Sequence, residues 1–247
     1  ALESSAYINI ACRKDMDPSG NHDLIMAMKH LMDRQRLVKG VYKGQASLGN
    51  DHPIGPAYFD HSPDIPQRMM DPDKAKFYLK EAGLSSLNVD LSVSDGAFAG
   101  AVDAGQLYQN SGSAAGININ IVQEPADGYW SNVWLKKPWC ACYWSGRATE
   151  DWMFSTAYES GVPWNDTGWE NERFQSLLLQ GRAELDTGLR GEIYREMQEI
   201  CRDEGGTVVP MYQNYVDAKS NRVEHSGQTG NLWMLDNLRS CKRWWSA

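Results

Sequence analysis

Hydrophobic residues recur at Leu24, Ile25, Met28, Leu31 and Met32, a helical stripe that the pattern carries on toward Val38 and that Gly40 and Gly44 terminate. A second helix is marked by its ends: Asp71 supplies a cap acid, Pro72 takes the first helical position, and Gly83 follows the last turn. The period then changes. Leu87, Val89, Leu91 and Val93 alternate with polar residues, as do Ile117, Ile119 and Ile121, so two half-buried strands flank a helix over residues 97–109. Beyond Glu124-Pro125 a helix is expected from Tyr129 to Leu135, and WCACYW, Trp139 to Trp144, reads as a strand ending at Ser145-Gly146. Asn171 caps a helix carrying Phe174, Leu177 and Leu178. A longer helix carries Leu189, Ile193, Tyr194, Met197 and Ile200, and Thr207 to Tyr215 forms the last strand. Between the first two helices, HPIGPAYFDHSPDIPQ holds four prolines, which forbid a helix interior and predict a surface connection or lid. Residues from Val223 to Ala247 show no clear period.

Alternating strands and helices predict an α/β domain with a mainly parallel mixed sheet flanked by helices, and such sheets take ligands at the carboxyl ends of their strands. The loop after Trp144 stands at such an end. At 247 residues the chain has room for one or two domains. No apolar run approaches the roughly 20 residues a membrane helix needs, so no direct membrane insertion is expected. A net charge of -8 argues against nucleic acid as a partner. The opening ALESSAYINIACRK lacks a basic segment followed by an apolar core, so the chain reads as cytosolic, processed or a fragment. Cys12, Cys140, Cys142, Cys201 and Cys241 fit no metal spacing and read as core thiols, with one or two bridges open in an oxidising compartment.

Seven of the ten tryptophans, Trp130, Trp134, Trp139, Trp144, Trp152, Trp164 and Trp169, fall in one window. They build either a packed core or an aromatic pocket for a small amphipathic ligand. Catalytic signatures are missing: no nucleophile elbow, no phosphate-cradling glycine loop and no zinc-protease helix. His52 and His61, with Asp51, Asp60 and Asp64 nearby, read as a solvated polar loop rather than a metal cluster. Glu150, Asp151 and Asp166 beside tryptophans leave a carbohydrate-active enzyme or carbohydrate-binding module as the alternative.

DPDKAKFYLKEAG, Asp71 to Gly83, resembles the Asp-Pro-Xaa-Lys-Ala-Lys … Glu-Ala-Gly helix of the family 5 extracellular solute-binding proteins of ABC importers, which include peptide, dipeptide and nickel binders. LIMAMKHLMDRQRLVKGVYKGQA is similar to the family's preceding helix, with Asp33-Arg34, Leu37-Val38 and Gly44 in place and Met26 where arginine is usual. EIYREMQEICRDEGGTVVPMYQ is similar to its last long helix, through Tyr194, Glu196 to Gln198 and Val209 to Tyr212. Family members are much longer.

The resemblance implies a periplasmic binding protein type II-like lobe. Residues 1–215 would form the second lobe, with hinge strands near both ends, and 216–247 would return to a first lobe absent here. It further implies a periplasmic or extracellular protein that closes over a small-molecule or peptide-like ligand and presents it to an ABC transporter permease, with no catalytic group, cofactor or metal.

In peptide-binding members the loop after the WCACYW strand holds an aspartate that pairs with the ligand's amine, and aligned on Glu150 and Phe154 that position is Arg147. The exchange inverts the charge and favours an anion over an ammonium. Two alternatives stand beside it: Arg147 pairs with Glu150 or Asp151 within the loop, or a register slip returns Asp151 to the amine-binding role. Trp144, Ser145, Gly146, Arg147, Asp151 and Trp152 are the expected ligand-binding residues, followed by Trp164, Asn165 and Asp166.

Overall fold

The pairing of six strands into one mixed sheet organises the protein in the computed structural model, which describes residues 2–246. In chain order the elements are β1 (Leu2–Cys12), α1 (His22–Leu31), a short helix α2 (Arg34–Arg36), β2 (Ala46–Leu48) and α3 (Pro72–Glu81). Next come β3 (Leu87–Val93), α4 (Ala101–Ser113), β4 (Ile117–Gln123), α5 (Tyr129–Asn132) and β5 (Trp139–Trp144). Then follow α6 (Glu150–Ala157), α7 (Glu172–Ala183), α8 (Thr187–Glu204) and β6 (Thr207–Tyr215). The sheet order is β2-β6-β1-β5-β3-β4.

The expected βαβ unit is present: β3 and β4 pair in parallel from Leu87↔Ile117 to Val93↔Gln123, with α4 between them in sequence. β5 joins β3 in parallel at Ser92↔Cys140. The centre differs. β1 lies between β5 and β6 and runs antiparallel to both, and β2 is antiparallel to β6. Four strands therefore run one way, while three of the five pairings are antiparallel. β1 carries no alternation to announce it, because every residue from Ser4 to Cys12 is buried and the two faces are equally covered.

Successive residues of the central strands point into two separate cores. Ile8, Val208 and Met211 pack with α1, α3 and α4, whereas Tyr7, Val209 and Tyr212 pack with Trp144 and with α6, α7 and α8. The two helical layers thus cover opposite faces of the sheet. Cys12, Cys140, Cys142 and Cys201 are buried free thiols in these cores, and Cys241 is exposed. His52 and His61 pack around Tyr212, whose hydroxyl lies 3.2 Å from His52 Nδ1.

Helix boundaries follow their caps. Asp71 accepts from Lys74 N at 3.0 Å and starts α3, and Asn171 accepts from Phe174 N at 2.8 Å and starts α7. α1 stops at Leu31 instead of running on toward Val38, because Asp33 accepts from Arg36 N at 2.9 Å and caps a new turn. α4 begins at Ala101 rather than Ala97, after Gly100 turns through the left-handed region at φ 83°.

One buried carboxylate joins these parts. Asp51 Oδ1 accepts from Arg34 Nη2 at 2.6 Å and from Val209 N at 2.9 Å, and Oδ2 accepts from Arg68 Nη1 at 2.6 Å. All three side chains are almost wholly excluded from solvent. Asp51 adopts φ 61°, a conformation aspartate tolerates better than most residues. Burial alone would raise its carboxyl, but Arg34, Arg68 and Lys29 override that and hold it at about 2. Arg68 also reaches Arg202 O at 2.8 Å and Asp203 at 2.7 Å, at the carboxyl end of α8.

The proline-rich segment 52–67 is consequently clamped at both ends, by Asp51 and Arg68. It is gripped again in the middle: Asp60 N donates to Glu150 Oε1 at 2.8 Å, and Gln198 bonds Asp60 O at 2.9 Å and Ser62 N at 3.1 Å. It is a fixed connection in this structure, not a free lid.

Asp51→Ala takes from Arg34 its one ion-pair partner among the described residues and from Arg68 one of two, and is expected to remove about 3–5 kcal/mol of stability in urea titrations. In the wild type this contribution is full above the unfolded carboxyl's pKa of about 3.9 and fades as pH falls toward 2, since the folded pKa is the lower one. A loss no larger than that of a surface pair, about 1 kcal/mol or less, would show that Arg34 and Arg68 find other acceptors.

Candidate functional site

β5 delivers Trp144 to the edge of the sheet, and the five residues that follow turn the chain into α6. Thr149 closes the turn by accepting from Trp152 N at 3.2 Å, which caps the helix. Gly146 has no room for a side chain, because a Cβ there would overlap Ser5 Oγ and press on Leu232. Arg147 N donates to the Tyr58 hydroxyl at 3.3 Å, tying this turn to the proline-rich segment.

The Arg147 guanidinium lies between two indoles. Its Cζ is 5.7 Å from the Trp144 ring centroid and 5.6 Å from that of Trp152, within cation–π range. Nη1 donates to Ser145 O at 2.9 Å, Ser145 Oγ at 3.0 Å and Gly146 O at 3.2 Å. No acid among the described residues forms an ion pair with it, and Nε and Nη2 make no hydrogen bond within the described residues. The pairing expected with Glu150 or Asp151 does not occur. Glu150 is buried and accepts from Asp60 N, while Asp151 binds Arg182 at 2.6 Å. Arg182 also reaches Glu159 at 3.3 Å. Asp151 is therefore engaged on the flank of α6, not free in the turn. Glu150, Asp151 and Asp166 do not converge on one point as a glycosidase pair would, since each is committed to different partners.

Two depressions meet at Arg147, the single residue among those described that lines both. The larger, about 840 Å³, is bounded by Tyr58 to Asp60, the first turn of α6, the α7–α8 connection and Leu232 of the tail. The smaller, about 390 Å³, is walled by Trp130, Tyr143, Trp144 and Trp164.

Asp166 holds that aromatic wall from behind. Its Oδ2 accepts from Trp144 Nε1 at 3.1 Å, with Trp134 Nε1 and Asn9 Nδ2 each at 3.5 Å. Burial raises its carboxyl above the ordinary 3.8, against the pull of the indole donors. Asn165 is also buried and donates to Trp169 O at 2.8 Å, shaping the loop. Neither residue lines the depressions beside Arg147, so both position the site and do not face it. Trp152 and Trp164 are half exposed, at 49% and 51%, whereas Trp144 is 5% exposed and presents little more than an edge. Tyr58 and Tyr143 line the site without having been singled out by the sequence, and Asp60 lines it although the sequence assigned it only to a solvated polar loop. Tyr58 and Asp60 sit in a proline-rich loop whose docking depends on Gln198, 136 residues away from Ser62. The alternation within WCACYW was the available signal for Tyr143.

The tail contributes as well. Val223–His225 and Trp244–Ser246 form a two-stranded antiparallel ribbon, β7 and β8. Residues Leu235 to Leu238 all take positive φ, a left-handed turn closed by Asp236, which accepts from Gly230 N at 2.6 Å and pairs with Arg243 at 2.9 Å. Asn231 Nδ2 donates to Glu3 O at 2.9 Å, bringing Leu232 against the turn at Gly146.

A model of the bacterial extracellular solute-binding proteins, family 5 Middle, matches residues 3–166. The chain is 25% identical over 201 residues to the dipeptide-binding protein of Escherichia coli (strain K12), covering 74% of this chain and 36% of that one. It is 28% identical over 213 residues to the oligopeptide-binding protein OppA of Bacillus subtilis (strain 168), covering 79% and 37%. It thus spans little more than a third of the length of these relatives. Among solved structures, the oligopeptide-binding protein AppA from Bacillus subtilis, in complex with a nonapeptide, has the same fold. Its TM-score is 0.79 at 17% identity, over 100% of this chain and 51% of that one.

Because the folded Asp166 carboxyl titrates above its unfolded value, its contribution to stability is present at low pH and declines as pH rises through the folded pKa. Tryptophan emission is expected to change over the same interval, and Asp166→Asn to abolish that change. A titration that persists in the variant would assign it to another carboxylate.

Proposed function

The chain belongs to the family 5 bacterial extracellular solute-binding proteins, and from that premise we propose that it forms the second lobe of a two-lobed binding protein serving an ABC importer. Binding is the activity. A first lobe closing against the face that carries Arg147 would bury a solute between the two, and the closed form would be presented to the permease outside the cytoplasmic membrane. The tail after β6, whose Asn231 bonds Glu3 O and whose Leu232 lies against the turn at Gly146, is on this reading the segment that leads toward that lobe.

The observation that carries the ligand reading is the unpaired side of Arg147. A guanidinium with one nitrogen fixed by its own turn, two indoles against it and its remaining donors without an acceptor among the described residues is set to take a carboxylate or another planar anion. The same charge disfavours the free amine of an ordinary peptide. We therefore assign the ligand an anionic group at this point, where an aspartate serves the peptide amine in peptide-binding relatives.

The test is calorimetric titration of the full-length protein with small carboxylates lacking an amine, and with amide-capped dipeptides that keep one. Carboxylates are expected to saturate, and Arg147→Ala to weaken them by about 10–100-fold, the range of a hydrogen bond to a charged group. Arg147→Lys is expected to recover only part of the affinity, because a point charge cannot reproduce the planar fork. Saturable dipeptide-amide binding, indifferent to Arg147→Ala, would overturn the reading.

A further inference from the structure

The smaller depression has a chemistry of its own. Its exposed rings are Trp130, Tyr143 and Trp164, underlain by Trp134 and Trp144. The rings are chained edge to face or tilted: Trp130 to Tyr143 at 5.5 Å, Trp130 to Trp134 at 5.9 Å, Trp134 to Trp144 at 6.5 Å and Trp144 to Trp164 at 6.1 Å. No acid lines it. The indole donors of Trp134 and Trp144 both point back to Asp166, so these two rings offer carbon edges and faces to the depression, not N–H groups. The sulfur of Cys142 and the side chain of Ser145 add little, since Ser145 is occupied by Arg147.

We propose that this depression is a subsite for the aromatic body of an aryl carboxylate whose carboxylate is held by Arg147. The inference rests on the reading of Arg147 as the anion anchor and names the class of solute. Aromatic rings placed at edge-to-face distances attract a further ring beyond the area it buries, and the volume lies in the range of small-molecule pockets. A sugar would leave its hydroxyls facing a wall that supplies few donors. A quaternary ammonium would meet Arg147 already against the Trp144 ring, with no carboxylate to balance the second cation. The anchor and the wall share a neighbour, because the Trp144 ring centroid lies 5.7 Å from the Arg147 Cζ and 6.1 Å from the Trp164 ring centroid.

Calorimetric titration of the full-length protein with phenylacetate, cyclohexylacetate and acetate tests this. Phenylacetate is expected to bind at least tenfold tighter than acetate and measurably tighter than cyclohexylacetate. Trp164→Ala and, separately, Trp130→Ala are expected to bring the phenylacetate-to-acetate ratio to within about threefold; the two residues are 51% and 39% exposed and lie outside both hydrophobic cores, so neither change empties a core. Equal binding of phenylacetate and acetate, both lost in Arg147→Ala, would overturn the subsite and leave the anion anchor standing. Cyclohexylacetate equal to phenylacetate would overturn its aromatic character. Failure of all three carboxylates to bind would overturn the anchor and the subsite together.

Discussion

Asp51 is a carboxylate without water, and most of the architecture follows from what must surround it. A lone buried charge costs far more than the fold can supply, so both its oxygens have to be met by donors from distant parts of the chain. Arg34 brings the end of the first helical segment, Arg68 the end of the proline-rich segment, and the Val209 amide the last strand of the sheet. The ion pairs act as a register device: removing one partner leaves a buried charge with part of its compensation gone.

The site uses a second buried acid differently. Asp166 supports neutral donors, two indoles and an amide, and its own ionisation is resisted by burial. A wall of flat side chains would ordinarily retain freedom to rotate, and tethering their N–H groups from behind fixes which surfaces face outward. Arg147 then stands at the border between an apolar depression and a polar one, with its charge spread against aromatic faces and its hydration reduced. That environment strengthens the attraction for an incoming anion more than an open surface would.

Much of this was legible in the chain. Helices α3 and α7 and the βαβ unit carry strong local signals, caps and period-two alternation, which tertiary context did not override. β1 escaped because a strand covered on both faces has no alternation to read, and its antiparallel insertion is a fact of long-range pairing. At the site, the position of Arg147 and the proximity of Trp144 and Trp152 followed from sequence adjacency. The partners of Glu150, Asp151 and Asp166 did not, since each is chosen by a residue brought in from elsewhere: Asp60, Arg182, and Trp134 with Trp144. Hydrogen bonds between residues more than twenty positions apart leave no local trace.

The grip on the proline-rich segment falls largely on its main chain. Asp60 N, Asp60 O and Ser62 N are the atoms held by Glu150 and Gln198, while Phe59 projects with 83% of its surface free. Its neighbours are held by their side chains as well, Tyr58 in the core with its hydroxyl on Arg147 N and Asp60 nearly buried, so Phe59 is the one position of residues 57–60 whose large side chain is left unconstrained. A different side chain at Phe59 alone would retune what the larger depression admits without disturbing the clamp that keeps the segment in place.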